Sequence, residues 1–475
     1  MRKTTGIFIA VVAVAAVYTG ASWYVGKQAR ITIEQTVAEA NERMSRSFVP
    51  QTSGAGAALA IAEYRRGIFA SDIVYSLRVQ DEPGTEYLLS DHLQHGPFPA
   101  GAVLAGNLIP MMALSQARLL PSATTQAWFD SRGGESPVTA RTEVRFGGKA
   151  VSEWVFEPLA VAQEGEVLKF SGGTVRATLE NDFADSKVTG EFDQLDYSMG
   201  PGTERVIIDD VSFEYATISS GNEIRMQSTT RVAGLSIDLL EAGSLAFHDA
   251  TMAVSSERQG DLGGGAVRYD FGKVSSNSIN LGSMSLGVSG RDFSMPALSE
   301  LAAVYDELNA RHGPQEQWQL SPVEAALLQD KLIGLLAGNP TLALEPVAWR
   351  NDKGESQAAL VVSLTQPAQP EASLSLDALL QQAIRTLDLE LHIEKPMLMH
   401  ALEQIQGEAE DPQATAMAAA LYDEYVGRLQ AAGLATISDG ASSTKISYRE
   451  GRVDANGRQM SLPEFIQRAL LVFLM

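Results

Sequence analysis

Apolar and polar residues alternate at every second position in segment after segment of this chain. Ile73, Tyr75 and Leu77 flank Ser76 and Arg78, and Val211, Phe213 and Tyr215 flank Ser212 and Glu214. The same holds for Leu235, Ile237 and Leu239, for Val267, Tyr269 and Phe271, and most cleanly for Leu387, Leu389, Leu391 and Ile393 with Asp388, Glu390 and His392 between them. Successive side chains on a strand point to opposite faces, so each segment predicts a strand with one apolar and one polar side. Turn residues separate them: Gly133-Gly134, Gly147-Gly148, Gly172-Gly173, Gly200-Pro201-Gly202 and Gly263-Gly264-Gly265. Many consecutive strands with short turns argue for a large antiparallel sheet.

Helical signals interrupt this pattern in two places. Ser299 to His312 fits one helix. Ser321-Pro322-Val323-Glu324 has the form of a capping box with Pro at the first helical position, and Leu328, Leu332, Leu335 and Leu336 then recur at helical spacing. Further on, Leu398 to Ile405, Ala416 to Ala432 and the apolar tail after Ser461 predict three more helices.

At the amino end, Arg2 and Lys3 precede an uncharged apolar stretch from Gly6 to Val25. That is about the ~20 residues a helix needs to cross a bilayer core. Trp23 and Tyr24 stand at its end, where aromatic side chains favour the membrane–water interface. The expectation is an uncleaved anchor; Thr19-Gly20-Ala21 leaves a cleaved signal open as the alternative. The expected fold is therefore α+β: an N-terminal transmembrane helix, then a large, mostly antiparallel curved β-sheet with helices inserted and packed in the C-terminal half. The expected divisions are a cytoplasmic N-terminus (1–4), the anchor (5–26), a membrane-proximal helix and linker (27–58), a β-rich region (59–295), a helical insert (296–340) and a C-terminal α/β region completing the sheet (341–475).

Composition excludes several chemistries. The 475 residues include no Cys, which rules out disulfides, Cys nucleophiles and Cys-ligated metals. A net charge of −22 argues against a nucleic-acid partner, since phosphate binding needs Lys and Arg. No G-x-S-x-G, no phosphate-binding loop and no dinucleotide fingerprint occurs, so no catalytic or cofactor-binding residue is assigned and no cofactor is expected. His92 and His95 form an H-x-x-H, but Gly96-Pro97-Phe98-Pro99 follows at once and no further ligand is placed. A structural turn is the expectation there, and no metal residue is assigned.

Four stretches carry a resemblance. They are Tyr18 to Lys27, Tyr64-Arg65-Arg66-Gly67-Ile68-Phe69-Ala70-Ser71, His95-Gly96-Pro97-Phe98-Pro99 followed by Leu108-Ile109-Pro110, and Tyr448 to Phe465. On these the chain resembles the YdgA family of bacterial envelope proteins, a family of unknown function, along essentially its whole length. The resemblance implies a single-pass bacterial inner-membrane protein with the bulk of the chain in the periplasm. It implies no reaction. Tyr64, Arg65, Gly67, Phe69, His95, Gly96, Pro97, Phe98 and Pro99 are thus motif residues without an assigned role, and Trp23 and Tyr24 are the membrane-interface residues.

The functional expectation is a non-enzymatic protein attached to the membrane by its N-terminal helix, whose amphipathic sheet binds lipid or another apolar ligand. An envelope scaffold or interaction module, homo-oligomeric or paired with an envelope protein, is the alternative. A periplasmic hydrolase is a remote third.

Overall fold

The computed structural model describes residues 19, 22, 24, 27, 30, 33–35, 37, 38 and 41, and then 57–474 except 80–84, 164, 182–183, 200–203, 240–242, 278, 313–319, 368–381, 407–411 and 439. Two units divide the chain. The first takes Met1–Thr203 with Asp209–Ile218, and the second takes Glu204–Ile208 with Ser219–Met475.

In the first unit the strands are β1 (Ala57–Arg66), β2 (Ala70–Val79), β3 (Glu86–His95), β4 (Met111–Leu120), β5 (Val138–Arg145) and β6 (Ala150–Phe156). They continue as β7 (Leu159–Gln163), β8 (Glu166–Phe170), β9 (Gly173–Glu180) and β10 (Asp185–Ser198). From β1 to β6 each strand pairs antiparallel with the next. β6 then pairs with β9, β7 with β8, and β10 runs along both β9 and β8. The breaks between β6 and β7 and between β8 and β9 have local causes. Pro158 cannot donate a ladder hydrogen bond. Gly172 has φ +89°, and a Cβ there would lie 2.7 Å from the Phe156 carbonyl oxygen. Two short helices, α1 (Ala100–Leu104) and α2 (Gln126–Ser131), fill the connections on either side of β4.

One face of this sheet carries the core. Ile73, Leu93 and Ala113 are buried there, with Ile61, Tyr64, Tyr75 and Val144 packed around them. The cover comes from the amino end of the chain. The described residues between 19 and 41 are helical, and Ile33 packs into the same cluster. Ser22 is fully buried and donates its hydroxyl to the Gly96 carbonyl at 2.6 Å. Asn41 bonds both backbone groups of Leu59: its Nδ2 donates to the carbonyl, and its Oδ1 accepts from the N–H, each at 2.8 Å.

This arrangement corrects the expected anchor. No helix among the described residues is long and apolar enough to cross a membrane. The segment 5–26 lies mostly outside the described residues. Of it Thr19, Ser22 and Tyr24 are described, and Ser22 belongs to the packed interior of the first unit. The expected N-terminal transmembrane helix is not supported, and the single-pass inner-membrane placement that depended on it falls as well. Of the two interface residues, Trp23 lies outside the described residues and Tyr24 is exposed. The stretch 27–41, expected as a membrane-proximal extension, is part of this cover.

β11 (Arg205–Ser220) has its residues divided between the units. The second unit holds four further long strands, β12 (Glu223–Leu239), β13 (Gly243–Gln259), β14 (Leu262–Ser276) and β15 (Ile279–Ser294). β16 (Thr341–Asn351), β17 (Gly354–Leu364), β18 (Ile384–Glu394), β19 (Thr436–Ser438), β20 (Ala441–Arg449), β21 (Arg452–Ala455) and β22 (Arg458–Ser461) complete it. Every described pairing is again antiparallel between chain neighbours, except that β20 joins β18 as well as β19 and β21. Glu450-Gly451 and Asn456-Gly457 have positive φ at both positions, the backbone that two-residue hairpin loops require.

Helices α3 (Met295–His312) and α4 (Pro322–Leu335) separate β15 from β16. The capping box at Ser321 and Glu324 is formed, and Arg311 and His312 at the end of α3 also bond Glu324. The Ser321 N–H and hydroxyl, with these two side chains, hold the Glu324 carboxyl down to a pKa of about 2. After β18 come α5 (Lys395–Gln406) and α6 (Pro412–Ala431), and α7 (Leu462–Leu474) ends the described chain. Leu462, Phe465 and Ala469 of α7 pack on a buried cluster of Leu434, Val453, Ala455 and Met460.

Asn41→Ala leaves the Leu59 N–H and carbonyl without their side-chain partner. The expected cost is about 1–2 kcal/mol in urea unfolding of the full chain. An unchanged midpoint would show that the helical cover does not depend on this contact.

Candidate functional site

The motif stretches 64–71 and 95–110 meet at one end of the first unit, while Tyr448–Phe465 lies in the second unit. The β1–β2 turn (67–69) and the β3–β4 connection (96–110) are both there. His95, the last residue of β3, joins them. Its N–H donates to the Phe69 carbonyl at 2.7 Å. Its ring Nδ1 lies 3.0 Å from the Ile68 carbonyl oxygen, and its Nε2 lies 2.9 Å from Ser71 Oγ. A carbonyl can only accept, so Nδ1 carries the proton, and in the neutral ring Nε2 accepts from the serine hydroxyl. His95 and Ser71 are each 1% exposed. Burial pushes the His95 imidazole below its usual range, partly opposed by the Ile68 hydrogen bond.

Gly96 follows in a position that no larger residue fits. A Cβ there would stand 1.9 Å from the Met111 carbonyl oxygen. The Gly96 N–H donates to Met112, its carbonyl accepts from Ser22, and the Gly96–Pro97 peptide is cis. The Pro97 carbonyl accepts from Met111 N–H, and the Pro99 carbonyl accepts from Ala102 and Val103 at the start of α1. Pro99 itself is buried. Gln94 Oε1 takes the Gly101 N–H at 2.7 Å. Gly67 closes the facing turn, donating to Ala70 at 2.8 Å, where a Cβ would meet the same carbonyl at 2.7 Å.

The other motif residues are spread around this frame. Tyr64 is half-buried, with the Arg30 guanidinium 5.3 Å from its ring centre and its hydroxyl buried without a partner among the described residues. Arg65 is exposed and pairs with Glu63 at 2.5 Å. Phe69 and Phe98 are 48% and 40% exposed. His92 does not join His95. Three residues apart on one strand, they point to opposite faces, and His92 instead bonds Asp72 at 2.8 Å. Among the described residues, no group of three or more His, Asp or Glu stands ready for a metal. On the core side, burial pushes the Asp91 carboxyl up, against hydrogen bonds from Ser115 and the Gln116 backbone. The Ser71–His95 contact and the buried Asp91 were not apparent from the sequence. Long-range strand register creates both.

A second feature lies in the second unit. Val267 of β14 faces Val288 of β15, which faces Leu344 of β16, which faces Leu360 of β17. One step along, Tyr269 faces Leu286. These side chains share one face, and Leu286, Val288, Leu342 and Leu344 remain 38–48% exposed. The opposite face is polar, with Arg268 bonded to Asp270 and Ser285 donating to the same carboxylate.

His95 holds fewer protons in the fold than in the unfolded chain below about pH 6.5. Its contribution to stability is therefore complete above that pH and is lost as the pH falls from there through the folded-state value. Urea unfolding at pH 7.5 and 5.5 is expected to show a smaller loss on acidification in His95→Gln than in the natural chain. An equal loss in both would place the imidazole outside the pH response.

Comparison with known proteins agrees with the motif stretches. A family model described as a bacterial protein of unknown function (DUF945) matches residues 1–463. Protein YdgA of Escherichia coli K12 is 26% identical over 503 residues, covering 98% of this chain and 96% of that protein. The uncharacterized protein YihF of the same organism is 23% identical over 499 residues, with 98% of each chain covered. An uncharacterized protein of Haemophilus influenzae is 31% identical over 139 residues, 29% of this chain and 37% of its own. No solved structure matches. The chain belongs to this DUF945 family of bacterial proteins of unknown function, with a YdgA-like sequence along its length.

Proposed function

We propose that the protein binds rather than transforms, holding an apolar ligand of the lipid acyl-chain kind on the half-exposed face of β14–β17. The observation that carries this reading is the exposure of Leu286, Val288, Leu342 and Leu344 on adjoining strands. A sheet face of this composition ordinarily lies under a second layer. Each of these half-exposed aliphatic side chains forgoes part of the about 1.5–3 kcal/mol that full burial supplies. An acyl chain laid across the strands recovers that term without any specific polar contact. The sealed state of the Ser71–His95 pair supports a non-catalytic reading, since a hydroxyl 1% exposed does not reach a substrate. Mass spectrometry of the purified full chain is expected to find co-purified lipid, and a fluorescent fatty acid is expected to bind. Val288→Glu with Leu344→Glu should weaken that binding at least about tenfold. A lipid-free protein that does not bind the probe, or unchanged binding in the double variant, would overturn the reading.

A second reading, an interaction module, is favoured by α6. Met417 and Leu421 lie one helical turn apart and are 65% and 59% exposed, and Tyr425 continues the stripe at 44%. Such i, i+4, i+8 anchors fit a partner groove or a second copy of the helix. In-cell crosslinking from position 421 is expected to capture a defined partner or a dimer. A monomer with no crosslinked product would leave the stripe without this role.

A further inference from the structure

We propose that the end of the first unit built around His95 is a contact site for a lipid bilayer surface, with Ile68, Leu104, Leu108 and Ile109 entering the headgroup–acyl boundary. This site lies in a different unit from the ligand-binding face proposed above and does not depend on it. The contact is made by loop side chains and involves no spanning helix.

Three observations carry the proposal. First, large apolar side chains concentrate there. Ile68 is 49% exposed, Leu104 88%, Leu108 67% and Ile109 56%, and Phe146 in the β5–β6 turn at the same end is 50% exposed. Scattered exposed hydrophobic residues are ordinary on a protein surface, but a group of them on adjoining loops marks an interaction site.

Second, the loops that present them are held from within. Asn107 N–H donates to Ala102, Gly106 N–H to Val103, and Asn107 Oδ1 accepts from Ile109 N–H. With the His95 and Gly96 bonds already described, the backbone has its partners inside the turn, and the apolar side chains point outward.

Third, the charge pattern suits an anionic surface. The chain has 58 Asp and Glu among its 475 residues, yet residues 64–71 and 92–129 contain none. Residues 1–33 contain none either, and Ser22 from that stretch is bonded to Gly96 at this end. Arg65 and Arg66 close β1 beside the turn, with Arg65 paired to Glu63. A chain of net charge −22 is repelled by anionic headgroups wherever its carboxylates face them. Of the two motif segments at this end, the 96–110 connection that carries Leu104, Leu108 and Ile109 brings no carboxylate. In a chain this acidic, that acid-free apolar loop is the part that meets an anionic bilayer without such repulsion.

The absence of Cys makes the test clean. Leu108→Cys in the full chain is labelled with the polarity-sensitive dye NBD, and Glu135→Cys is labelled as the control. Glu135 is exposed and lies in the β4–β5 connection, at the opposite end of the strands. Phosphatidylethanolamine–phosphatidylglycerol vesicles are expected to blue-shift and brighten the dye at 108 and to leave the dye at 135 unchanged. Adding Ile68→Glu and Ile109→Glu should abolish the shift at 108, with an unchanged unfolding midpoint confirming the fold. No response at 108, an equal response at 135, or a shift that survives the two Glu substitutions would overturn the proposal. So would a dye at 108 already blue-shifted without vesicles, which would mean that a second copy or the chain's own residues 6–18 cover the site.

Discussion

Hydrogen bonding between antiparallel chain neighbours is the constraint on which the rest depends. From β1 to β6 and from β12 to β18 each strand pairs with the next in the chain, so each of those turns hands the backbone directly to its next partner. Two consequences follow from the geometry of the strand alone. Period-two alternation gives each sheet one apolar and one polar face. Connections alternate between the two ends of the strands, so β1–β2, β3–β4 and β5–β6 turns share an end. The clustering of Ile68, the His95 turn and Phe146 follows from that alternation, and no long crossover is needed to produce it.

The two apolar faces are treated differently. In the first unit the helical residues between 19 and 41 cover Ile73, Leu93 and Ala113, which are each 5% exposed or less. In the second unit the corresponding face of β14–β17 keeps Val288 at 48% exposure and Leu344 at 38%. Similar strand patterns thus yield a closed core in one case and an open apolar surface in the other. The difference lies in what is laid over the strands and not in the strands themselves.

Much of this was legible in local pattern. The capping box at Ser321 and the strand of Leu387 to Ile393 are short-range signals, and both are present in the structure. Strands such as Leu159–Gln163 and Glu166–Phe170 carry too few alternating residues to be distinct, and their existence depends on neighbours supplying the register. The amino-terminal segment was misread for a related reason. Ser22 against Gly96 is a contact that no window of hydropathy contains. The motif around His95 was visible as a string of unusual residues. Its purpose was not, because Ser71 and Ile68 reach His95 only through the pairing of β2 with β3.

The helical cover of the first unit has a mechanical consequence. Ser22 is fastened beside Gly96 at one end of the sheet, and Asn41 is fastened to Leu59 at the other, with Ile33 wedged between them. Tension applied to the chain from its amino side would act on three separate fastenings, at Gly96, at the Ile73 cluster and at Leu59. Such a load would pass directly into the backbone of β1 and the turn after β3.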